Sequence, residues 1–338
     1  MTEREQIILR AIVHLYILHA TPVGSGFVAT YLERELKLSP ATIRAIMADL
    51  EDKGFITHPH TSAGRMPTDK GYRFYVDSLM DHENVSNDDA DAVRSNLLHA
   101  SRESILRDAS RVLGSLSHYL ALVQMPQLAN VVVRKVEMIP LSSQRILVVI
   151  ALESDIVRTL TIETQSLTDF SNLEEISRYI NERSSGRSLN QLASVFPEIG
   201  DDTDERALIR LFVDQVSKLQ EPASTRSDTI HVAGAQNLIA HPEFDTTERL
   251  RSVIELVENE DVIIHLFGTT EEDGVRVRIG NELANEQLQD YSLISTTYKI
   301  GAATGSVGLI GPKRMNYARM VSLVEFVSNV ITSTYGGH

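Results

Sequence analysis

Three observations predict an α+β protein of more than one domain. Apolar residues recur at helical spacing through the first 54 residues, and β-branched runs flank a helical stretch in the middle of the chain. The length of 338 residues also exceeds the roughly 250–300 at which single cores stop growing. Hydrophobic residues make up 42% and charged residues 23%, the balance of a globular chain rather than a disordered or fibrous one.

The first element is a helix. Thr2 and Glu5 have the spacing of a capping box, and Ile7, Ile8, Ala11, Ile12, Leu15 and Leu18 lie on one side until Thr21-Pro22 stops it. A short second helix opens at Ser25 with Val28, Leu32 and Leu36 as its stripe and ends at Lys37-Leu38. The third has Ser39 as N-cap and Pro40 at the first helical position. Ile43, Ile46, Met47 and Leu50 form its apolar face, and Gly54 is placed to end it. Residues 55–59 and 66–67 then read as two strands around the polar turn His60-Thr61-Ser62-Ala63-Gly64-Arg65. Three helices followed by a hairpin is the order of a winged helix-turn-helix. Thr68 can cap one more helix through Tyr72, Phe74, Tyr75, Val76 and Leu79.

Residues 81–91 are polar and acidic, and a linker is expected at 81–92 between a winged helix-turn-helix at 1–80 and the remainder of the chain. From 93 to 122 the pattern is helical. Residues 131–136, 146–152 and 157–162 are strand-like and separated by turns, which predicts an antiparallel meander. Residues 172–219 return to helical period through Leu173, Ile176, Ile180, Leu208, Leu211, Phe212 and Leu219. Strand patterns resume at 262–267, 275–279, 293–298 and 306–310, before Gly311-Pro312 opens a final helix. This predicts one sheet shared by 93–165 and 228–338, with a mainly helical domain inserted at 166–227.

In a helix-turn-helix the N-terminal part of the second helix of the motif meets base edges in the major groove, which makes Ser39, Thr42 and Arg44 candidates. Ala41, Arg44, Ala45 and Ala48 share the face opposite the apolar stripe. Small side chains there allow close approach, and Arg44 can donate to guanine or phosphate. The wing adds Arg65 with the hydroxyls of Thr61 and Ser62 and with His60, and Lys70 and Arg73 come after it, a set suited to phosphates or a minor groove. The net charge of −14 opposes DNA binding, yet residues 1–80 hold nine basic and nine acidic side chains, so the acidic excess lies beyond them.

Other chemistries find less support. Cys is absent, which excludes disulfides and thiolate metal sites and agrees with a reducing compartment. His58 and His60 have no third ligand nearby in sequence, and no metal or other cofactor is expected. Gly301, Gly305, Gly308 and Gly311 match neither G-x-G-x-x-G nor a Walker pattern and read as turn glycines. Lys313 and Arg314 read as the start of the last helix, where they can hold an anion. Ser25 lacks the G-x-S-x-G elbow of a hydrolase, and no enzyme activity is expected. No apolar run reaches the roughly 20 residues of a membrane span, and Met1-Thr2-Glu3-Arg4-Glu5 lacks a signal-peptide layout, so a cytoplasmic location away from membranes is expected.

Three stretches carry a specific resemblance. They are Leu38-Ser39-Pro40-Ala41-Thr42-Ile43-Arg44 with Met47-Ala48-Asp49-Leu50-Glu51; Pro59-His60-Thr61-Ser62-Ala63-Gly64-Arg65 through Pro67-Thr68-Asp69-Lys70-Gly71-Tyr72-Arg73; and Ile279-Gly280 with Gly308-Leu309-Ile310-Gly311-Pro312-Lys313-Arg314-Met315-Asn316-Tyr317. Together they closely resemble the heat-inducible transcription repressor HrcA family. The sequence departs from that family's usual pattern at Ala45-Ile46, where a polar Asn-acidic pair is usual, and at Gly26-Phe27, where a basic residue is common. It departs again at Gly280-Asn281-Glu282-Leu283, where an acidic residue and Asn usually come after Ile279.

The resemblance implies a winged helix-turn-helix, a GAF-like mixed α/β domain with a leading helix, and an inserted dimerising domain. It further implies a homodimer on double-stranded DNA at a CIRCE-type inverted-repeat operator upstream of chaperone genes. It implies, too, the GroE chaperonin as a partner needed for active folding, so that a heat-loaded chaperonin leaves the repressor inactive. GAF-like domains often hold ligands between sheet and helices, which makes a repressor controlled by a small molecule the alternative.

Overall fold

The computed structural model describes residues 1–59, 64–101, 104–153, 156–164, 172–196, 204–220, 230–244, 246–258, 260–267 and 274–336. The chain forms two compact units. The first takes in Met1–Val123, Ile230–Thr297 and Val307–Val330, and the second Gln124–Thr229, Tyr298–Ser306 and Ile331–His338. The architecture is mixed helix and sheet, and among the described residues no helix is long and apolar enough to cross a membrane.

The first unit opens with α1 (Glu3–His19), where the expected capping box forms and Ala20 ends the helix at φ 55. Next come α2 (Ser25–Tyr31) and α3 (Pro40–Asp52), capped by Ser39. Ile8, Ile12, Val28, Ile43 and Leu50 are fully buried between these helices, because their spacing puts one residue per turn on the inner faces. β1 (Ile56–Thr57) and β2 (Met66–Pro67) pair antiparallel. Val23 adds a bridge to Arg65 through two backbone hydrogen bonds of 2.8 Å. That close approach requires glycine at position 64, where a Cβ would lie 2.6 Å from the backbone of Pro22 and Val23. Thr68 caps α4 (Asp69–Phe74), which continues as a π-turn over Tyr75–Leu79.

The same unit contains α5 (Asn87–Leu97), α6 (Ile105–Ser117), α10 (Ala235–Ile239), α11 (Thr247–Glu258) and α12 (Glu260–Phe267). Its sheet runs in the order β7 (Ile230–Ala233), β3 (Leu120–Gln127), β10 (Ala303–Pro312), β9 (Tyr291–Ile300) and β8 (Arg276–Ile279). The long α13 (Tyr317–Gly336) buries Tyr317, Leu323, Val324 and Val327.

The second unit holds a separate antiparallel sheet of β4 (Val133–Ser142), β5 (Arg145–Leu152) and β6 (Val157–Glu163). α7 (Leu173–Ser184), α8 (Leu189–Val195) and α9 (Asp204–Gln220) share its core. Val136, Ile146, Val148 and Ile150 point to that core with Ile180, Leu192 and Phe212. Ile139, Leu141 and Val157 are about half exposed.

Several expectations need correction. The stretch 93–122 is not one helical run: α5 and α6 are separate, His118 at φ 60 ends α6, and Leu120 starts a strand. Leu120, Ala121, Leu122 and Val123 are all fully buried, because β3 is an interior strand with both faces covered and therefore shows no alternation. Residues 262–267 are helical, not a strand. Ile263, Leu266 and Phe267 are buried at three- and four-residue spacing, so packing overrides the β-branched run. The expected meander exists but forms its own sheet, so the second unit begins at Gln124 rather than near 166. Part of the expected linker 81–92 is helix, because Ser86 caps α5 by accepting from the Asp89 amide. Pro312 is the last residue of β10, and the final helix starts at Tyr317. Of the four glycines read as turns, only Gly301 is in one, at φ 59. The other three lie in β10, where a Cβ would meet Tyr298, Ile294 with Ser295, or Tyr119 with Met315.

Candidate nucleic-acid interface

The outer face of α3 is assembled by its cap and its apolar stripe. Ser39 at φ −69, ψ 151 accepts from the Thr42 amide at 3.1 Å, and the Ser39 and Thr42 hydroxyls are 2.9 Å apart. With Ile43, Met47 and Leu50 buried, the helical period leaves Ala41, Thr42, Arg44, Ala45 and Ala48 exposed on the opposite side. Among the described residues no carboxylate pairs with Arg44, so its guanidinium faces solvent with its donors available.

At the base of the hairpin, Glu51 joins one of the candidate cations, Arg65, to nearby His58. It pairs with Arg65 at 2.7 Å and hydrogen-bonds His58. Desolvation pushes the Glu51 carboxyl up, but the His58 hydrogen bond and the Arg65 charge prevail and hold it below its ordinary 4.5. His60, Thr61 and Ser62 lie outside the described residues. Among the described residues no group of three His, Asp or Glu side chains could hold a metal ion.

Lys70 and Arg73 sit apart from the α3 face. The Lys70 ammonium donates to the Lys53 carbonyl at 2.7 Å and lies 4.5 Å from the Phe55 ring centroid, where it caps the C-terminal end of α3. Arg73 makes a two-pronged pair with Glu282, with Nε donating to Oε1 at 2.8 Å, and it also donates to Asp77 and to the Val277 carbonyl. The hydrogen bond to Glu282, against the opposing effect of burial, raises the Arg73 pKa further above its ordinary value.

Beside Arg73, the Asp69 carboxylate accepts from Lys313 Nζ at 2.8 Å and from the backbone and side-chain nitrogens of Asn281, both at 3.2 Å. Gly280, at φ 52, turns the chain under Asp69. A Cβ there would lie 2.7 Å from Asp69 Cγ and 2.9 Å from Oδ1. Arg314 donates to the Ile17 carbonyl in the last turn of α1 at 2.6 Å and pairs with Glu243. The pair Lys313-Arg314 thus precedes the last helix rather than starting it, and holds protein carboxylates and a carbonyl in the C-terminal turn of α1. Sequence reasoning missed Glu51, Asp69, Glu243 and Glu282 as partners. Asp69 and Lys313 lie 244 positions apart, and no local spacing announces such a pair.

These features meet a consistent set of relatives. The family model described as the HrcA protein C-terminal domain matches residues 103–321. A "Heat-inducible transcription repressor HrcA" of Chlorobium phaeobacteroides (strain BS1) is 34% identical over 343 residues, covering 97% of each chain. The chain belongs to the HrcA family. Another HrcA, from Prosthecochloris aestuarii, is 35% identical over 350 residues and covers 99% of this chain and 98% of its own. The HrcA of Desulforamulus reducens is 34% identical over 342 residues, covering 99% of this chain and 97% of its own. A crystal structure described only as that of a hypothetical protein superposes with a TM-score of 0.59 at 28% identity, covering 99% of this chain and 97% of that one. The relatives named HrcA are described as heat-inducible transcription repressors.

Proposed function

We propose that this HrcA-family chain represses chaperone genes by binding, as a homodimer, a CIRCE-type inverted repeat in double-stranded DNA through a winged helix-turn-helix at residues 1–80. The outer face of α3 carries the reading. Small residues there let the helix sink into a major groove, and Arg44 stands exposed among them with no carboxylate partner among the described residues. Ser39, Ala41, Thr42, Arg44 and Ala45 then meet base edges or nearby phosphates. The wing residues His60, Thr61, Ser62 and Arg65 reach the flanking backbone.

In this reading the five-stranded sheet and its helices form the GAF-like domain, and the inserted unit forms the dimer. The half-exposed Ile139, Leu141 and Val157 on its three-stranded sheet suit burial against a second copy. The repressor works in the cytoplasm, and the GroE chaperonin couples its folding to heat load.

The test is binding to the inverted repeat and to a scrambled duplex across a salt series, with wild type and Arg44→Ala and with chaperonin present or absent. Arg44→Ala should weaken specific binding by about 1–3 kcal/mol and leave the melting temperature unchanged, because Arg44 is exposed. Equal, weak binding to both duplexes by the wild type at every salt concentration refutes the operator assignment.

A second reading, control by a small molecule, draws on a cavity of about 520 Å³ lined by Thr57, Met66, Asp69, Lys70, Tyr72 and Lys313, among others. The buried Tyr72 hydroxyl there has no partner among the described residues. Native mass spectrometry of the protein from its host should retain a bound molecule if this reading holds.

A further inference from the structure

Arg73, one of the basic residues that look suited to DNA in the sequence, is engaged within the protein beside Asp69, and the partners of both come from the far end of the chain. α4 comes directly after the hairpin that packs against α3, and its first and fifth residues are Asp69 and Arg73. Asp69 is held by Lys313 and Asn281, and Arg73 by Glu282 and the Val277 carbonyl. Glu282 also accepts from the Ile279 amide at 2.9 Å, which fixes its carboxylate in place for Arg73. Gly280 makes the turn that lets Asn281 approach Asp69, and no residue with a Cβ fits there without displacing that carboxylate. Tyr72, between the two charged residues, is buried with its ring 5.9 Å from that of Tyr317. The side chains of Asp69, Lys313 and Arg73 are only about a quarter exposed and that of Glu282 somewhat more, so the Asp69–Lys313 pair in particular is shielded more than a surface pair.

A DNA-binding head on a solvated tether would need none of this. Relative motion between domains is the default, and two charged pairs around a buried aromatic oppose it. We infer that Asp69, Arg73, Glu282 and Lys313 are positioning residues for DNA binding. They fix the N-terminal helices to the five-stranded-sheet domain, so that in a dimer the distance and angle between the two α3 helices are set by this contact. The inference rests on the operator reading and adds a consequence to it. Two rigidly held heads fit half-sites separated by one helical repeat and fit badly when the spacer changes by half a turn. Freed heads tolerate both spacings, with a lower effective concentration at the preferred one.

The experiment measures affinity of the full-length protein for duplexes whose half-sites are moved apart by one, two and five base pairs, and for a single half-site. The variants are Glu282→Ala/Lys313→Ala and the conservative Lys313→Arg. Both substituted residues lie outside the N-terminal helices, so single-half-site affinity should stay at the wild-type value in each variant. The wild type and Lys313→Arg should lose at least about tenfold in affinity at five base pairs, whereas the double variant should vary by no more than about threefold across all spacings. Amide exchange at Asn281 should accelerate in the double variant. A double variant that keeps the wild-type spacing profile overturns the inference, as does unchanged exchange at Asn281. A wild type that binds neither half-sites nor repeats refutes the operator reading instead, and Asn281 exchange then still reads the contact itself. If the double variant does not fold, Lys313→Ala alone takes its place and should show an intermediate profile.

Discussion

Replacing Gly280 by Ala should destabilise the first unit by roughly 3 kcal/mol, most of it through one neighbour. At φ 52 the backbone is left-handed, which costs an alanine about 1 kcal/mol. The new Cβ would also sit 2.7 Å from Asp69 Cγ, so the carboxylate must leave. It then gives up Lys313 at 2.8 Å and the Asn281 amide at 3.2 Å. The ion pair is about a quarter exposed on each side, so its loss is worth about 1 kcal/mol after solvent screening, and the orphaned amide costs about another. In an Asp69→Ala background the obstruction is gone and only the left-handed strain of about 1 kcal/mol remains. The cycle therefore predicts a coupling of about 2 kcal/mol. Because a chain of two compact units need not unfold in one step, the quantity to measure is amide exchange of α4 and Ile279–Asn281, with urea melts alongside. Equal costs of Gly280→Ala in both backgrounds would refute the reasoning, because the clash with Asp69 would then contribute nothing.

Other perturbations separate folding from binding. Leu50→Ala empties a fully buried site under the outer face of α3 and should cost about 2–5 kcal/mol, lowering the melting temperature and DNA affinity together, unlike Arg44→Ala. Burial raises the Tyr119 phenol to about 12 from 10.0, so the folded state favours the neutral form. That stability is present below pH 10 and is lost as pH rises toward 12, a contribution of roughly 3 kcal/mol that Tyr119→Phe should remove from an alkaline titration of stability. The Glu282 carboxyl is desolvated, yet Arg73 and the Ile279 amide hold it below its ordinary 4.5. Its contribution is therefore present above pH 4.5 and lost as pH falls through the lowered value, and Glu282→Gln should flatten the acid limb of the stability curve.

Local signals were enough for the starts of the N-terminal helices, though α2 ends at Tyr31 rather than at Lys37-Leu38. Thr2 with Glu5, Ser39 with Pro40 and Thr68 each start the helix that their chemistry predicts, because a cap satisfies backbone groups within three residues of itself. The buried Ile43, Met47 and Leu50 and the exposed Ala41, Arg44 and Ala45 result directly from a period of 3.6. The β-branched run between turns found β5, but no such signal found β3, whose residues are apolar on both sides. The same signal misread residues 262–267, where β-branched composition and helical burial point in opposite directions.

The sequence by itself determined where the first four helices begin, which face of α3 is apolar, and that the acidic excess lies outside the first 80 residues. Each is a property of residues close together in the chain or of their sum. Only the tertiary structure decided that the meander stands apart from the five-stranded sheet. It alone, too, showed that Gly280 must lack a side chain and that Lys70 and Arg73 are engaged by groups of the protein itself. A cation reads the same in sequence whether it meets a phosphate, the Lys53 carbonyl or Glu282. What separates these fates is a partner delivered by the fold, in the case of Arg73 from 209 positions away.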